Sequence, residues 1–251
     1  MIKPTAMSGG PAQIWNSAAQ LAQVPHVELS TLIPPGARVV VVAPHPGDEV
    51  VACGGLLQLL SSLDYPLQLI SVTDGSASHP GSSLWPPKRL SVFRAQESAE
   101  ALRRLGMPLH SLKWLRGGFA DSALAVREQQ LSQFIARYLQ TGDVVLSTWR
   151  TDGNDDHDAV GRAAASACAL MGVRLLEMPI WAWHWPARDA TRIPWSRARK
   201  IHLETRQVAR KRHAAYAYAS QLAGDPQICL APMLPPVLLE RMRDPYEIVF
   251  V

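Results

Sequence analysis

A chain of 251 residues, 47% hydrophobic and 18% charged, can bury a full core and is too apolar for intrinsic disorder. No apolar run approaches the roughly 20 residues that span a bilayer, and residues 1–23 carry small and polar side chains where a secretory leader has its apolar centre. Cys53, Cys168 and Cys229 lie far apart and form no CxxC pair, which argues against a disulfide framework and a cysteine zinc site; a soluble, cytoplasmic protein is expected.

Residues 37–43 (ARVVVVA) are a continuous β-branched run, the pattern of a strand buried on both faces. Residues 48–63 follow as a helix with Asp48 and Glu49 in its first turn, where the macrodipole favours acids. A second strand spans 67–73, and a Gly/Ser/Pro-rich loop covers 74–87. The spacing then predicts a helix over 87–105 stopped by Gly106, a short strand over 111–115 and an amphipathic helix over 122–139. A strand over 143–148, an Ala-rich helix over 157–170 and a fifth strand over 173–179 complete the regular part. Trp181, Trp183 and Trp185 alternate as in a strand, so one face could stack on a sugar ring or simply bury core surface. The net charge of +4 and pI near 9.1 owe much to Arg197, Arg199, Lys200, Arg206, Arg210, Lys211, Arg212 and His213. With no recognition motif beside it, this stretch reads as the solvated face of a helix, and no nucleic-acid partner is expected. A Pro-rich tail ends the chain.

Strands alternating with helices imply βαβ units: an α/β/α sandwich around a mostly parallel sheet. The expected organisation is a short N-terminal extension, 1–30, packed on a single domain, 31–251.

In such sheets ligands bind beyond the carboxyl ends of the strands. The first strand–helix turn reads Pro44-His45-Pro46-Gly47-Asp48-Glu49, which is not a glycine-rich dinucleotide turn but offers a histidine and two acids. The turn after the fourth strand, Trp149 through Asp152-Gly153-Asn154-Asp155-Asp156 to His157, faces the same end. Either histidine alone suits a cap or a loop. Together, His45, Asp48 and His157 offer two imidazoles and a carboxylate, a set that binds zinc and leaves a position for water. Iron, cobalt or nickel also accept such ligands.

The stretch Ala43-Pro44-His45-Pro46-Gly47-Asp48-Glu49 resembles the (A/P)HPDDE signature of the PIG-L/LmbE family of zinc-dependent de-N-acetylases. Asp152 to His157 is similar to that family's second motif, DxHxDH, and the likeness continues through Thr73-Asp74-Gly75, Arg94, Glu97, residues 159–162, residues 177–185 and Ser220-Gln221. The resemblance implies a Rossmann-like sheet, one Zn2+ per chain held by His45, Asp48 and His157, and removal of an acetyl group from an N-acetylated amino sugar, cut by metal-activated water. It further implies that Arg94 contacts the sugar and that Asp156 orients a histidine near the zinc.

The family pattern is broken at three positions. Its general base is replaced by Gly47, and a positioned base typically contributes about a hundred- to ten-thousand-fold in rate. The first histidine of DxHxDH is Asn154, which can donate a hydrogen bond but not a proton. A carboxylate expected after the third strand is Gly117. Substitute bases are Glu49, Asp155 or Asp156, and substitute acids His184, which could also line the substrate pocket, or His79. The expectation is a zinc-dependent hydrolase of an N-acetylated amino sugar or related small amide, weakened or altered. The alternative is a non-catalytic metal- or sugar-binding member of the same fold, in which Gly47→Asp would create or strongly raise deacetylase activity. The sequence leaves self-assembly open, a homo-oligomer included.

Overall fold

The centre of the molecule follows from the four valines of β1 (Val39–Ala43), which is buried along its whole length. Val39, Val41 and Ala43 face one apolar cluster while Val40 and Val42 face another, so β1 lies between two layers. The computed structural model describes residues 19–185 and 187–251; of residues 19, 187, 188 and 190 it describes the backbone. Before β1 come α1 (Ala19–Gln23) and α2 (Leu29–Leu32). After it run α3 (Asp48–Ser62), β2 (Leu67–Ser71), α4 (Pro87–Leu105), β3 (Lys113–Arg116), α5 (Glu128–Ala136), β4 (Val144–Thr148), α6 (Asp155–Met171) and β5 (Arg174–Met178). The remainder is β6 (Ala198–His202), α7 (Thr205–Ala215), α8 (Ala219–Leu222), α9 (Pro236–Arg241) and β7 (Tyr246–Phe250).

The seven strands form one Rossmann-like sheet in the order β3-β2-β1-β4-β5-β7-β6. The first five are parallel, with Val39 level with both Leu67 and Val144, whereas β7 runs antiparallel to β5 and β6. Helices α3, α4, α7 and α9 cover one face, and α5 and α6 the other. Each fully buried Leu or Val contributes about 1.5–3 kcal/mol relative to exposure.

Helix α3 breaks at Cys53, whose φ/ψ of −139°/24° is not helical. The amides of Gly55 and Leu56, left over at that break, donate to the Glu247 carboxylate of β7, each at 2.7 Å, and Lys211 Nζ of α7 balances its charge at 2.6 Å. The C-terminal strand therefore anchors the helix that carries the first motif.

Several expectations shift. The helix expected over 122–139 begins as a 3-10 turn, Ala125–Arg127, before α5, because the amides of Ser122 and Leu124 donate to Asp156 instead of to a helix. Trp181–His184 is a 3-10 turn rather than a strand. The basic stretch divides between a 3-10 turn ending at Arg197, β6 and α7, and two of its cations are buried: Lys200 over the Tyr246 ring and Lys211 against Glu247. The tail supplies β7, which the prolines around it obscure. Of the expected extension, residues 1–18 lie outside the described residues. Leu21 and Val24 pack with Trp149 and Phe250, and the backbone of 25–27 pairs with Lys200 on β6. No helix among the described residues is long and apolar enough to cross a membrane.

Candidate metal centre

The carboxyl ends of β1 and β4 deliver His45 and His157 to one floor, with ring centroids 5.4 Å apart. Asp48, the first residue of α3, is placed between them. Its Oδ2 accepts from the His45 amide at 2.9 Å and lies 3.3 Å from His45 Nδ1 and 3.4 Å from His157 Nε2.

Each imidazole is held from behind by an acid. His157 Nδ1–H donates to Asp152 Oδ2 at 2.8 Å, and the same fully buried carboxylate accepts the amides of Ile180, Trp181 and Ala182 at 2.7–3.0 Å. Those bonds explain the 3-10 turn, since the amides that a strand would pair are spent on Asp152. They also fix the tautomer, leaving the lone pair of His157 on Nε2. His45 Nε2 lies 3.2 Å from both Asp156 Oδ2 and Asp121 Oδ1. Asp156 is itself held by the amides of Ser122 and Leu124, and Asp121 by that of Ala77.

Two sets of ligand atoms fall within 4.8 Å of one another: His45, Asp48 and His157, and His45, Asp121 and Asp156. In the second set both carboxylates meet only the outer nitrogen of the one ring, His45. In the first, both rings turn a nitrogen toward the same carboxylate oxygen. The first set is the one chemically suited to a cation.

Electrostatics agree with that. Burial works to keep His157 neutral, but Asp48 and Asp152 outweigh it and raise the imidazole to about 9. His45 is likewise raised against its burial by Asp121, Asp156 and Asp48. Burial pushes Asp48 upward, yet the two histidines hold it far below the usual carboxylate range. Protons thus collect where positive charge is most stabilised.

The cavity above this floor has a volume of about 280 Å³ and is also lined by Gly47, Arg94, Asp121, Asn154, Asp155, Asp156, Trp181, His184 and Gln221. Asn154 caps α6: its Oδ1 accepts from the amides of Asp156 and His157, so its Nδ2 donors are not spent on the cap. Arg94 is 3% exposed, and its Nε and Nη2 have no partner among the described residues. It fits only because residue 75 is glycine; a Cβ there would lie 2.0 Å from Arg94 Nη1. His184 stands beside Trp181 with Nε2 buried and without a partner among the described residues, and burial lowers its pKa.

Of the substitute residues, Glu49 faces away from the cavity. It is fully buried and accepts from Tyr218 Oη at 2.7 Å and from the Gly47 amide at 2.9 Å. His79 is buried against Ser78 and Trp85 and does not line the cavity. Gly117 sits against the Val72 carbonyl, and the loop's carboxylate comes from Asp121. Asp121 and Gln221 carry no role in the sequence reading. The first lies in an aperiodic Gly-rich stretch, and the second reaches the site only through tertiary structure.

The family model described as GlcNAc-PI de-N-acetylase matches residues 40–168. No curated protein matches the chain. Among solved structures, the conserved protein TT1542 from Thermus thermophilus is 24% identical, with 85% of this chain and 93% of that one covered at a TM-score of 0.60. N,N'-diacetylchitobiose deacetylase from Pyrococcus horikoshii, complexed with its inhibitor, is 18% identical over 88% and 86% of the two chains, with a TM-score of 0.61. The zinc-inhibited form of teicoplanin deacetylase Orf2 is 18% identical over 74% and 85%, with a TM-score of 0.60. At these identities the structural likeness speaks for the fold.

Proposed function

The chain belongs to the GlcNAc-PI de-N-acetylase (PIG-L) family, and on that footing we propose that it is a zinc-dependent hydrolase that removes the acetyl group from an N-acetylated amino sugar or a related small amide. The observation that carries this reading is the approach of His45 Nδ1 and His157 Nε2 to one oxygen of Asp48, at 3.3 and 3.4 Å, on the floor of a cavity. The donor set fits one divalent cation of the zinc type and leaves a side open to the cavity. When bound, such an ion polarises an amide carbonyl and makes water nucleophilic near neutral pH.

The remaining roles fall to the chain's own groups. Asp152 and Asp156 hold the two rings in the tautomers that ligate. Asn154 Nδ2 and the neutral His184 donate hydrogen bonds to the acetyl oxygen as charge develops on it. Arg94 binds the sugar hydroxyls with its unpartnered nitrogens. Asp48, Asp121 and Asp156 are each committed to a histidine, which leaves the exposed Asp155 to take the proton from the attacking water. It is less well held than a buried base, so turnover is slow.

The test is metal content together with acetate release from simple N-acetylglucosamine derivatives. About one zinc per chain with slow, chelator-sensitive release is expected. Protein purified without zinc, with stability indifferent to chelator, overturns the reading. Bound zinc with no acetate from any N-acetylated sugar or small amide favours the non-catalytic member of the fold instead.

A further inference from the structure

Gln221 crowds the seat in which a side chain at position 47 would begin. Gly47 has φ/ψ of 112°/−31°, a left-handed conformation that L side chains rarely adopt. A Cβ built there would lie 3.0 Å from Nε2 and 3.5 Å from Oε1 of Gln221. Gln221 comes from α8, far away in sequence, and is 7% exposed while still lining the cavity. Its main chain is clamped on both sides, with its amide donating to the Tyr218 carbonyl and its carbonyl accepting from Leu234, both at 2.9 Å. The preceding Ser220 is tied to the buried Glu97 carboxylate through its amide and its hydroxyl, at 2.7 and 2.6 Å.

The orientation of the carboxamide follows from its partner. Nε2 donates to the Pro46 carbonyl at 2.6 Å, and a carbonyl can only accept, so the nitrogen must be the end at Pro46. Oε1 is the other end, 3.5 Å from where a Cβ at position 47 would stand. A rigidly held carboxamide therefore crowds the place of a residue-47 side chain, its nitrogen nearest and spent on Pro46, and its acceptor oxygen next, on the wall of the cavity.

We propose that Gln221 is a positioning residue for the hydrolytic water: Oε1 accepts a hydrogen bond from the water that attacks the substrate carbonyl and aims it, without taking its proton. This rests on the hydrolase reading above. A neutral amide in this seat orients but does not deprotonate, which separates two tasks that one carboxylate would combine.

Gln221→Met keeps the volume and removes the acceptor. Gln221→Glu replaces it with a group that can take a proton and, when protonated, can still donate to the Pro46 carbonyl. Both variants and the unaltered protein would be loaded with Co2+, and their visible spectra titrated with pH beside kcat and KM on an N-acetylglucosamine derivative. The expected results are kcat at least about tenfold lower in Gln221→Met with KM within about twofold. In Gln221→Glu, a new acid-side transition appears in the cobalt spectrum and in kcat/KM. Spectra that titrate identically in all three proteins, with kcat unchanged in Gln221→Met, make Gln221 a packing residue and overturn the inference alone. If Gln221→Met does not fold, the spectrum of Gln221→Glu decides by itself. Absence of any cobalt spectrum in the unaltered protein overturns the metal reading, and this inference with it.

Discussion

Nδ1 of His157 lies 2.8 Å from Oδ2 of Asp152, and that carboxylate also gathers three consecutive backbone amides from the turn after β5. One buried acid thus sets both the tautomer of His157 and the path of the chain that walls the cavity. Asp152→Asn offers one acceptor oxygen for four donors and can present an N–H to Nδ1. Zinc affinity is expected to fall about 10- to 100-fold. Stability should fall by about 1–3 kcal/mol for donors left unsatisfied. Competition titration against a zinc indicator and denaturant unfolding check the two effects separately.

The histidines give the metal-free protein a pH dependence of defined sign. His157 is raised from its ordinary value to about 9, so its contribution to stability is complete below about 6.5 and is lost as pH rises through 9. His45 adds in the same direction. Asp48 is depressed, so its contribution holds above the usual carboxylate range and is lost only in strong acid. The apo protein should therefore lose on the order of 3 kcal/mol between pH 6.5 and 9, whereas zinc-loaded protein should not. Thermal unfolding with and without chelator across that range measures it. A flat apo profile would mean that the imidazoles are not charged in the folded state.

The parts legible in the sequence are those whose signal is local. The β-branched run of β1 and the helix that follows put His45 and Asp48 at a strand–helix turn, and the cap of α6 does the same for His157. Asp152 sits in that second turn, yet its part depends on amides 28 to 30 residues further on, which no local pattern announces. Asp121 lies where no period exists. Gln221 reaches Pro46 across 175 residues. Strands β6 and β7 were hidden for another reason: ARKIH mixes charges with apolar residues, and YEIVF is a five-residue strand at the end of a proline-rich stretch. Both belong to the antiparallel edge, where a strand need not be apolar on both faces.

Restoring an aspartate at position 47 looks, from the motif alone, like the repair of a lost base. The structure argues otherwise. The left-handed φ of 112° costs about 1–2 kcal/mol for a residue with a Cβ, and that Cβ would press on Gln221 Nε2 at 3.0 Å. Gly47→Asp by itself should lower stability by at least that much and raise acetate release little. Combined with Gln221→Ala, which vacates the seat, the aspartate should regain stability relative to the single variant and raise the rate at least about tenfold. The four proteins form a double-mutant cycle, read by denaturant unfolding and acetate release. Strict additivity in both would show that positions 47 and 221 do not share the seat.

Arg94 offers a prediction whose sign is opposite to that of an ordinary core residue. Its guanidinium is almost fully enclosed, two of its nitrogens have no partner among the described residues, and burial lowers its pKa despite Asp121, Glu97, Asp48 and Asp74 nearby. Leaving buried donors unsatisfied costs about 1–3 kcal/mol in the free protein, a cost that a bound molecule accepting from them removes. Arg94→Met, close in length and apolar, should therefore leave the protein as stable or more stable by up to about 2 kcal/mol, while KM for an N-acetylated sugar rises steeply. Arg94→Lys keeps the charge and loses the planar fork, so it should gain little stability and still bind poorly. Loss of stability in Arg94→Met together with an unchanged KM would assign the arginine to the fold instead of the ligand, since a purely structural guanidinium would be missed by the apo protein and not by the substrate.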